Sequence, residues 1–224
     1  MVSLHSANAD RMTAVPARSA RYWACLVWLP LAWSATAAAQ TPPWRTLSDK
    51  DGIRLEARSI AGERFDELRV TASVKVSPQT VADYLLGKYL DEKNKNIDRR
   101  FVQRGPDRAI WSDVLSTPVT SDRCYSMRFD RHALAGGEIR VKFVSLDYVG
   151  KTPKPDCVAL RARGEWILTP TAAGTRLTYS SLTDIGGKAP AFLAQRSLAS
   201  AAMSSVSKVV AGASGRPLPR GIGD

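Results

Sequence analysis

Serine and cysteine nucleophiles most often depend on a histidine base, so the histidines are the first test for catalysis. The sequence has two histidines, and beyond the first 39 residues only His132 remains. His132 is followed by a short run that ends in Gly136-Gly137, which indicates a hairpin loop. We therefore interpret His132 as an exposed loop residue, and we identify no catalytic residue.

Metal and phosphate chemistry are no better supported by the residue spacing. No group of Asp, Glu, His or Cys residues has the spacing of a metal site. The string Gly150-Lys151-Thr152 looks like the end of a phosphate-binding loop, but the glycine required five residues earlier is Ser145 and no helix pattern follows. The sequence therefore predicts no metal and no cofactor.

The N-terminal segment has the order of a secretory signal. An uncharged stretch from residue 22 to residue 44 follows three arginines, and Ala37-Ala38-Ala39 supplies the small side chains that a signal peptidase accommodates. We place the cleavage before Gln40, so that residues 1–39 are a signal peptide and the protein is periplasmic or secreted. The alternative is an uncleaved membrane anchor, which Pro30 and the Ala-rich end make less favourable.

Three cysteines are present, and Cys25 lies in the predicted signal peptide. Cys124 and Cys157 then remain, and an oxidising compartment favours a disulfide between them. If residues 123–130, 139–148 and 157–168 form a meander, the two cysteines lie two strands apart, at about 9–10 Å, beyond the roughly 7 Å limit for their Cα atoms. A proline-containing loop before Cys157 could carry it over the intervening strand, so geometry leaves both states open and we predict the bond.

The composition and charge limit the class of protein and its partners. With 44% hydrophobic and 24% charged residues the chain is a folded globular protein rather than a disordered or collagen-like one. The formal net charge is +11, which favours an anionic partner surface. Because an exported protein meets little nucleic acid, we expect no nucleic-acid partner and consider an anionic membrane surface instead. A solvated basic face without a partner is the alternative.

Period-two alternation of apolar and polar residues dominates the chain after residue 50 and predicts strands. Residues 53–58 and 65–76 predict a hairpin, and about six more antiparallel strands are expected between Phe101 and Ser181. Between the two groups, Ser77-Pro78 begins a short helix that ends near Gly87. The charged segment after Gly87 predicts one helical turn and a loop.

The periodicity changes after residue 190. Apolar residues recur there at three- and four-residue intervals up to about Ala211, which predicts a long helix with many Ala and Ser residues. The remaining residues, 213–224, have no packing pattern and predict a disordered tail. The predicted fold class is therefore α+β, a curved antiparallel sheet wrapped around a long C-terminal helix in one domain, residues 40–212.

A curved sheet closed by a helix encloses a volume, and its inward side chains are large and apolar. The alternation predicts seven inward residues on the sheet: Tyr125, Met127, Phe129, Phe143, Leu160, Trp166 and Tyr179. The stripe on the helix predicts four more: Phe192, Ala199, Met203 and Val206. These eleven residues are the predicted ligand-binding set. The alternative is that the same side chains fill the core and leave no cavity.

Arg123 has the same alternation as the inward residues of its strand. An inward arginine needs a partner, because an unpaired buried charge is costly. We therefore expect Arg123 to pair with a carboxylate from another element or to cap the end of the sheet. If the strand begins later, its side chain is solvated instead.

Several separated segments together resemble the steroidogenic-acute-regulatory-related lipid-transfer (START) proteins of bacteria, within the helix-grip superfamily. They are Trp44, Asp51-Gly52-Ile53, the strand entry Thr117-Pro118-Val119 with Asp122-Arg123, and the helix entry Gly186-Gly187-Lys188-Ala189-Pro190-Ala191-Phe192-Leu193. The resemblance covers about residues 44–212. The last helix departs from it by carrying smaller residues, which puts the ligand rather than the fold in doubt.

The resemblance implies a helix-grip fold and a lipid or other hydrophobic small molecule held between the sheet and the C-terminal helix, without metal or covalent catalysis. We expect a monomeric, non-catalytic binding protein. Two alternatives are a cavity enzyme of the same superfamily, acting as a cyclase or hydrolase, and an envelope scaffold protein that has no ligand.

Overall fold

The computed structural model describes residues 42–117, 121–148 and 156–217. The predicted signal peptide, the Gly150-Lys151-Thr152 string and residues 218–224 of the predicted tail lie outside these residues. No helix within the described residues is both long enough and apolar enough to cross a membrane.

The described residues form one ten-stranded sheet and two α-helices, with a short 3-10 turn at Ala135–Gly137. The strands are β1 Arg45–Lys50, β2 Ile53–Arg58, β3 Glu67–Val74, β4 Ile97–Arg104, β5 Arg108–Leu115, β6 Arg123–Ala133, β7 Ile139–Leu146, β8 Val158–Ala159, β9 Arg161–Thr171 and β10 Gly174–Asp184. The helices are α1 Pro78–Leu86 and α2 Ala191–Ala213.

The strand order is β1-β2-β3-β10-β9-β7-β6-β5-β4, and β8 pairs with β6. All pairings are antiparallel except that of β8, which is parallel to β6. Because β3 pairs with β10, the N-terminal strands continue the sheet beyond its last strand. One face of this sheet packs on α2 and α1.

Alternation explains which strand face meets the helices. In β3 the side chains of Leu68, Val70, Ala72 and Val74 are buried, and the intervening positions are more exposed. A strand with period-two apolar residues can bury only one face, so this face is the core face. The predicted hairpin of β2 and β3 is confirmed.

The short helix α1 begins and ends where its capping residues predict. The Ser77 hydroxyl accepts a hydrogen bond from the Thr80 backbone N–H at 3.2 Å, and Pro78 occupies the first helical turn. At the other end the Gly87 N–H donates to the Asp83 carbonyl oxygen at 3.0 Å. The predicted helix is therefore confirmed, and its apolar face is buried in the core.

Two edge strands differ from the sequence prediction. β1 was not predicted, and β4 begins at Ile97, so that residues 97–100, predicted as a loop, are in a strand. Most residues of both strands are exposed or only half-buried, so neither strand has a buried face that would produce alternation. His132 is exposed, as predicted, but it lies in β6 and not in a loop.

The disulfide between Cys124 and Cys157 is confirmed, with 5.8 Å between the two Cα atoms. The predicted meander of three neighbouring strands is wrong at the end of the sheet where the cysteines lie. β7 pairs with β6 only from Ser126 onward, and β8 occupies the position beside the start of β6, where Cys124 is opposite Ala159. Cys157 therefore immediately precedes the adjacent strand and is not two strands away.

The long helix α2 ends at Ala213, so the first residue of the predicted tail belongs to the helix. Near its end, Gly212 lies against the ring of Tyr84 from α1, so closely that a Cβ atom at this position would overlap the ring. The Tyr84 hydroxyl donates to Glu92 Oε1 at 2.7 Å, and burial followed by the Glu92 interaction raises the pKa of Tyr84. This contact sets the position of α1 on α2.

Candidate ligand-binding cavity

A cavity of about 370 Å³ lies between the core face of the sheet and α2. Its volume is near the lower end of the roughly 300–1,000 Å³ range of small-molecule pockets. The residues that line it come from the sheet, from the segment after α1 and from α2: Tyr89, Leu90, Arg99, Trp111, Leu115, Tyr125, Met127, Phe129, Phe143, Leu160, Ala162, Trp166, Tyr179, Ser181, Thr183, Ile185, Ser197, Leu198, Ala201, Ala202 and Ser205.

Aromatic rings form one continuous wall of the cavity. The ring centroids of Trp111 and Phe129 are 4.9 Å apart, those of Phe129 and Phe143 are 5.6 Å apart, and those of Phe143 and Tyr179 are 5.7 Å apart. Trp166 continues the wall at 4.4 Å from Tyr179. These separations lie within the range of favourable aromatic pairs or just below it, so the wall is packed rather than loose.

Gly164 on β9 makes this wall possible. It is paired with Phe143 across β7 and β9, and the Phe143 ring lies over it. A Cβ atom at Gly164 would overlap both the Phe143 ring and the Ser180 carbonyl oxygen. The absence of a side chain therefore lets the ring lie along the sheet instead of projecting into the cavity.

A buried ion pair stands at one end of the cavity. The Arg99 guanidinium donates to both carboxylate oxygens of Asp113, at 2.9 Å from Nε and 2.7 Å from Nη2. The Trp111 indole N–H donates to the same carboxylate at 3.1 Å, and Arg99 also donates to the Leu90 carbonyl oxygen at 3.0 Å. Asp113 is completely buried. The carboxylate thus receives three hydrogen bonds, which offset the cost of burying its charge.

Solved structures with a similar arrangement of sheet and helices include proteins named as lipid-transfer proteins. A STAR-related lipid transfer protein from Xanthomonas axonopodis matches with a TM-score of 0.67 and 21% identity, over 76% of this chain and 98% of that one. The human StAR-related lipid transfer protein 5 matches with a TM-score of 0.64 and 16% identity, over 79% and 88% of the two chains. The chain has the START helix-grip fold. No protein-family model and no curated protein matches the sequence.

On the sheet side of this START fold, the residues predicted for the cavity are the residues found there. All seven, Tyr125, Met127, Phe129, Phe143, Leu160, Trp166 and Tyr179, line the cavity. Leu160 lies between β8 and β9, and the other six lie in β6, β7, β9 and β10. These are interior strands, whose register is fixed on both sides by pairing, so alternation alone decides which face is inward. Ligand binding by these residues remains a prediction.

On the helix side, the predicted residues do not line the cavity. Phe192 is 72% exposed, so the prediction that it faces inward is wrong. Val206 is fully buried, and Ala199 and Met203 pack against the core, but none of the three faces the cavity. The residues that do face it are Ser197, Leu198, Ala201, Ala202 and Ser205.

The physical reason is a rotation of the helix about its axis. Successive residues of an α-helix are about 100° apart, so residues 198, 202 and 205 form a stripe next to that of 199, 203 and 206. The more apolar stripe packs against the core, where α2 meets β3 and α1. The neighbouring stripe, in which Leu198 is accompanied only by Ala and Ser, is then left over the space. Small side chains on it are the reason that a space exists.

Burial changes the acid-base properties of the tyrosines in the cavity. Burial, followed by the charge of Asp113 and an interaction with its carboxylate, raises the pKa of Tyr125. Burial also raises the pKa of Tyr179 and that of Tyr89, against smaller lowering effects of Ser181 and Ser205. At neutral pH all three hydroxyls are therefore protonated and can donate a hydrogen bond.

Sequence reasoning missed Arg99, Asp113 and Tyr89 as site residues. Arg99 was hidden because the start of β4 was interpreted as a loop. Asp113 carried a usable signal, since it has the same strand parity as Ala109 and Trp111 and is therefore a charged residue in an inward position. Only contact between β4 and β5 supplies its partner, at the register pair of Arg99 and Asp113.

Arg123 joins the start of β6 to the segment before α2. It is buried, in agreement with the inward position, but its described side-chain hydrogen bonds go to the backbone carbonyl oxygens of Ile185, at 2.6 Å, and Ser121. Of the two expected arrangements, the cap at the end of the sheet is therefore the one found: two carbonyls rather than a carboxylate accept from Arg123 and hold β6 to the segment before α2. No group of three or more His, Cys, Asp or Glu side chains in the described part of the chain could hold a metal ion.

Proposed function

We propose that this protein binds a lipid or another hydrophobic small molecule in the cavity and does not change it chemically. The observation that carries the proposal is an aromatic cavity with one polar end, in a fold shared with proteins named as lipid-transfer proteins. The cavity volume of about 370 Å³ fits a small apolar ligand or the apolar part of a larger one. A single polar end gives such a ligand one orientation.

The state of Asp113 favours binding over catalysis. Its carboxylate already accepts hydrogen bonds from Arg99 and Trp111, so its oxygens are engaged by protein donors. Tyr125 holds its proton at neutral pH, which makes it a donor to a ligand oxygen rather than a base. The cluster thus supplies hydrogen bonds to a polar group of the ligand.

A cavity enzyme is the second candidate, because Arg99 and Tyr125 line the cavity and the completely buried Asp113 is paired with Arg99. An enzyme would convert the bound molecule into a product, and Tyr125→Phe should abolish this turnover. Native mass spectrometry separates these functions: a binding protein releases its co-purified ligand unchanged. Purification from its own envelope without any bound small molecule would favour the scaffold alternative.

Filling the cavity should weaken the uptake of a ligand. Ala201 lies on α2 at the cavity and is exposed enough to accept a larger side chain. We expect Ala201→Trp to weaken binding of a fluorescent fatty acid by about tenfold or more, because displacement of even one buried methylene group from the site costs about 0.8 kcal/mol and several are displaced. Fluorescence titration measures the effect, and Ala191→Trp, on the exposed first residue of the same helix, is the control. Equal uptake by both variants would contradict binding in this cavity.

We also propose that the protein is exported and contacts an anionic membrane through the start of α2. Phe192 and Leu193 are 72% and 51% exposed, and Lys188 and Arg196 beside them are also exposed. Arg64 donates to the Gly187 and Ala189 carbonyl oxygens, at 2.8 and 2.6 Å, and fixes the loop before them. Export agrees with the disulfide, which persists in oxidising compartments, and with the signal-like N-terminus. We propose further that the protein is a monomer and has no nucleic-acid partner.

Phe192→Ser with Leu193→Ser should reduce binding to vesicles that contain phosphatidylglycerol. Full burial of such side chains contributes roughly 1.5–3 kcal/mol each, so partial insertion of both predicts at least about a tenfold loss. Co-sedimentation with the vesicles measures it. Val102→Ser removes an equally exposed apolar side chain on β4 and should change nothing. A loss of the same size in both variants would contradict a role for the start of α2.

A further inference from the structure

The cavity continues into a second, polar space between α2 and the segment that joins α1 to β4. We call this space of about 580 Å³ the vestibule. It is lined by Tyr89, Glu92, Lys93, Asn94, Ile97, Arg99, Leu115, Tyr125, Ser197, Ser200, Ala201, Ser204, Ser205 and Lys208. Seven of these residues also line the aromatic cavity, among them Arg99 and Tyr125. The polar end of the cavity is therefore the inner wall of the vestibule.

Four serines give the α2 wall of the vestibule its character. Ser197, Ser200, Ser204 and Ser205 recur at helical spacing on the side that faces the vestibule, and Lys208 continues this side by one turn. Ser204 is only 9% exposed, and its hydroxyl has no side-chain hydrogen bond to another described residue. Because Ser204 lines the vestibule, its hydroxyl is available there to a polar group supplied from outside.

The vestibule has one positive charge that no described carboxylate balances. Glu92 is engaged by Lys208, at 3.4 Å, and by the Tyr84 hydroxyl. Arg99 is balanced by Asp113. Lys93 is exposed at the opening and forms no ion pair within the described residues. One uncompensated ammonium group and several hydroxyl donors together suit an anionic, oxygen-rich group.

We propose that the ligand is a single-chain amphiphile with an anionic headgroup, a carboxylate or a phosphate. Its chain occupies the aromatic cavity, and its headgroup occupies the vestibule beside Lys93 and Ser204. The cavity volume limits the apolar part to one short chain or the end of a longer one. This inference rests on the proposed ligand binding and adds the chemical class of the ligand and the direction in which it lies.

Calorimetric titration with probes that share one twelve-carbon chain tests the headgroup. Dodecanoate and dodecyl phosphate, below their micelle concentrations, should bind at least about tenfold more tightly than dodecanol and dodecyltrimethylammonium. In Lys93→Gln with Ser204→Ala the anionic probes should lose most of this preference, while dodecanol binds as before. Lys75→Gln with Ser207→Ala makes the same chemical changes on an exposed lysine and on a serine of α2 outside the vestibule, and should keep the preference.

The outcomes separate the two proposals. Equal binding of dodecanol and the anionic probes, or an unchanged preference in the vestibule variant, would overturn the anionic headgroup and leave hydrophobic binding intact. Failure of every probe to bind would overturn the proposed function together with this inference. Inorganic phosphate alone should not compete with dodecyl phosphate, and competition at similar concentrations would assign the vestibule to a free anion instead of a lipid.

Discussion

Asp113→Asn is expected to destabilise the protein by roughly 3–5 kcal/mol, the range for removal of one partner from a buried ion pair. Asp113 is completely buried and accepts both Arg99 hydrogen bonds as well as that of Trp111. The change leaves the Arg99 guanidinium in the cavity wall without a counter-charge. Burial by itself lowers the pKa of Arg99, and the hydrogen bond and charge of Asp113 raise it by more. Urea unfolding followed by circular dichroism measures the loss.

The neighbouring strand position supplies a control for this substitution. Asp98 and Arg100 also form an ion pair on β4, but both side chains are 61% exposed, so Asp98→Asn should cost less than about 1 kcal/mol. The double variant Arg99→Met with Asp113→Leu should recover most of the stability, because it removes both charges and keeps apolar volume. A double variant as unstable as Asp113→Asn would show that lost packing, not the unpaired charge, causes the effect.

Removal of the disulfide by Cys124→Ala with Cys157→Ala is expected to cost about 3–4 kcal/mol. The bond joins residues 33 apart, and closure of a loop of this length restricts the unfolded chain by about that free energy. It also holds β8 against the start of β6, next to Leu160 in the cavity wall. The midpoint of urea unfolding should fall, and the protein should lose part of its ligand uptake.

Reduction supplies an independent test of the same bond. A reducing agent should lower the unfolding midpoint of the unmodified protein toward that of the double variant and should have no effect on the variant. Two free thiols in denatured, unreduced protein that lacks residues 1–39 would show that the cysteines are not bonded.

The interior strands were predictable because their sequences are constrained on two sides. In β6 and β9 every second residue must fit the core, so Met127 and Trp166 could be placed at the cavity from their parity alone. The caps of α1 were equally local, since Ser77 and Gly87 act within one helical turn of their own positions. The fold class and the sheet half of the cavity followed from such local rules.

The edge strands and the helix rotation were not predictable in the same way. β1 and β4 are largely exposed, so no burial pattern marks them, and the start of β4, predicted as a loop, concealed Arg99. Helix α2 has an apolar stripe and a small-residue stripe side by side, and periodicity alone favours the apolar stripe as the cavity wall. Its contact with β3 and α1 uses that stripe and turns Ala202 and Ser205 toward the space instead.

The sequence by itself determined the fold class, the cysteine pair and the aromatic wall, because each depends on residue type and on spacing within a strand or a turn. The tertiary structure alone decided three further features: the partner of Asp113, the place of β8 beside Cys124, and the helix face over the cavity. Each of these joins segments that are distant in the chain. Their free energy comes from paired charges, strand pairing and packed volume, and only the assembled fold brings these groups together.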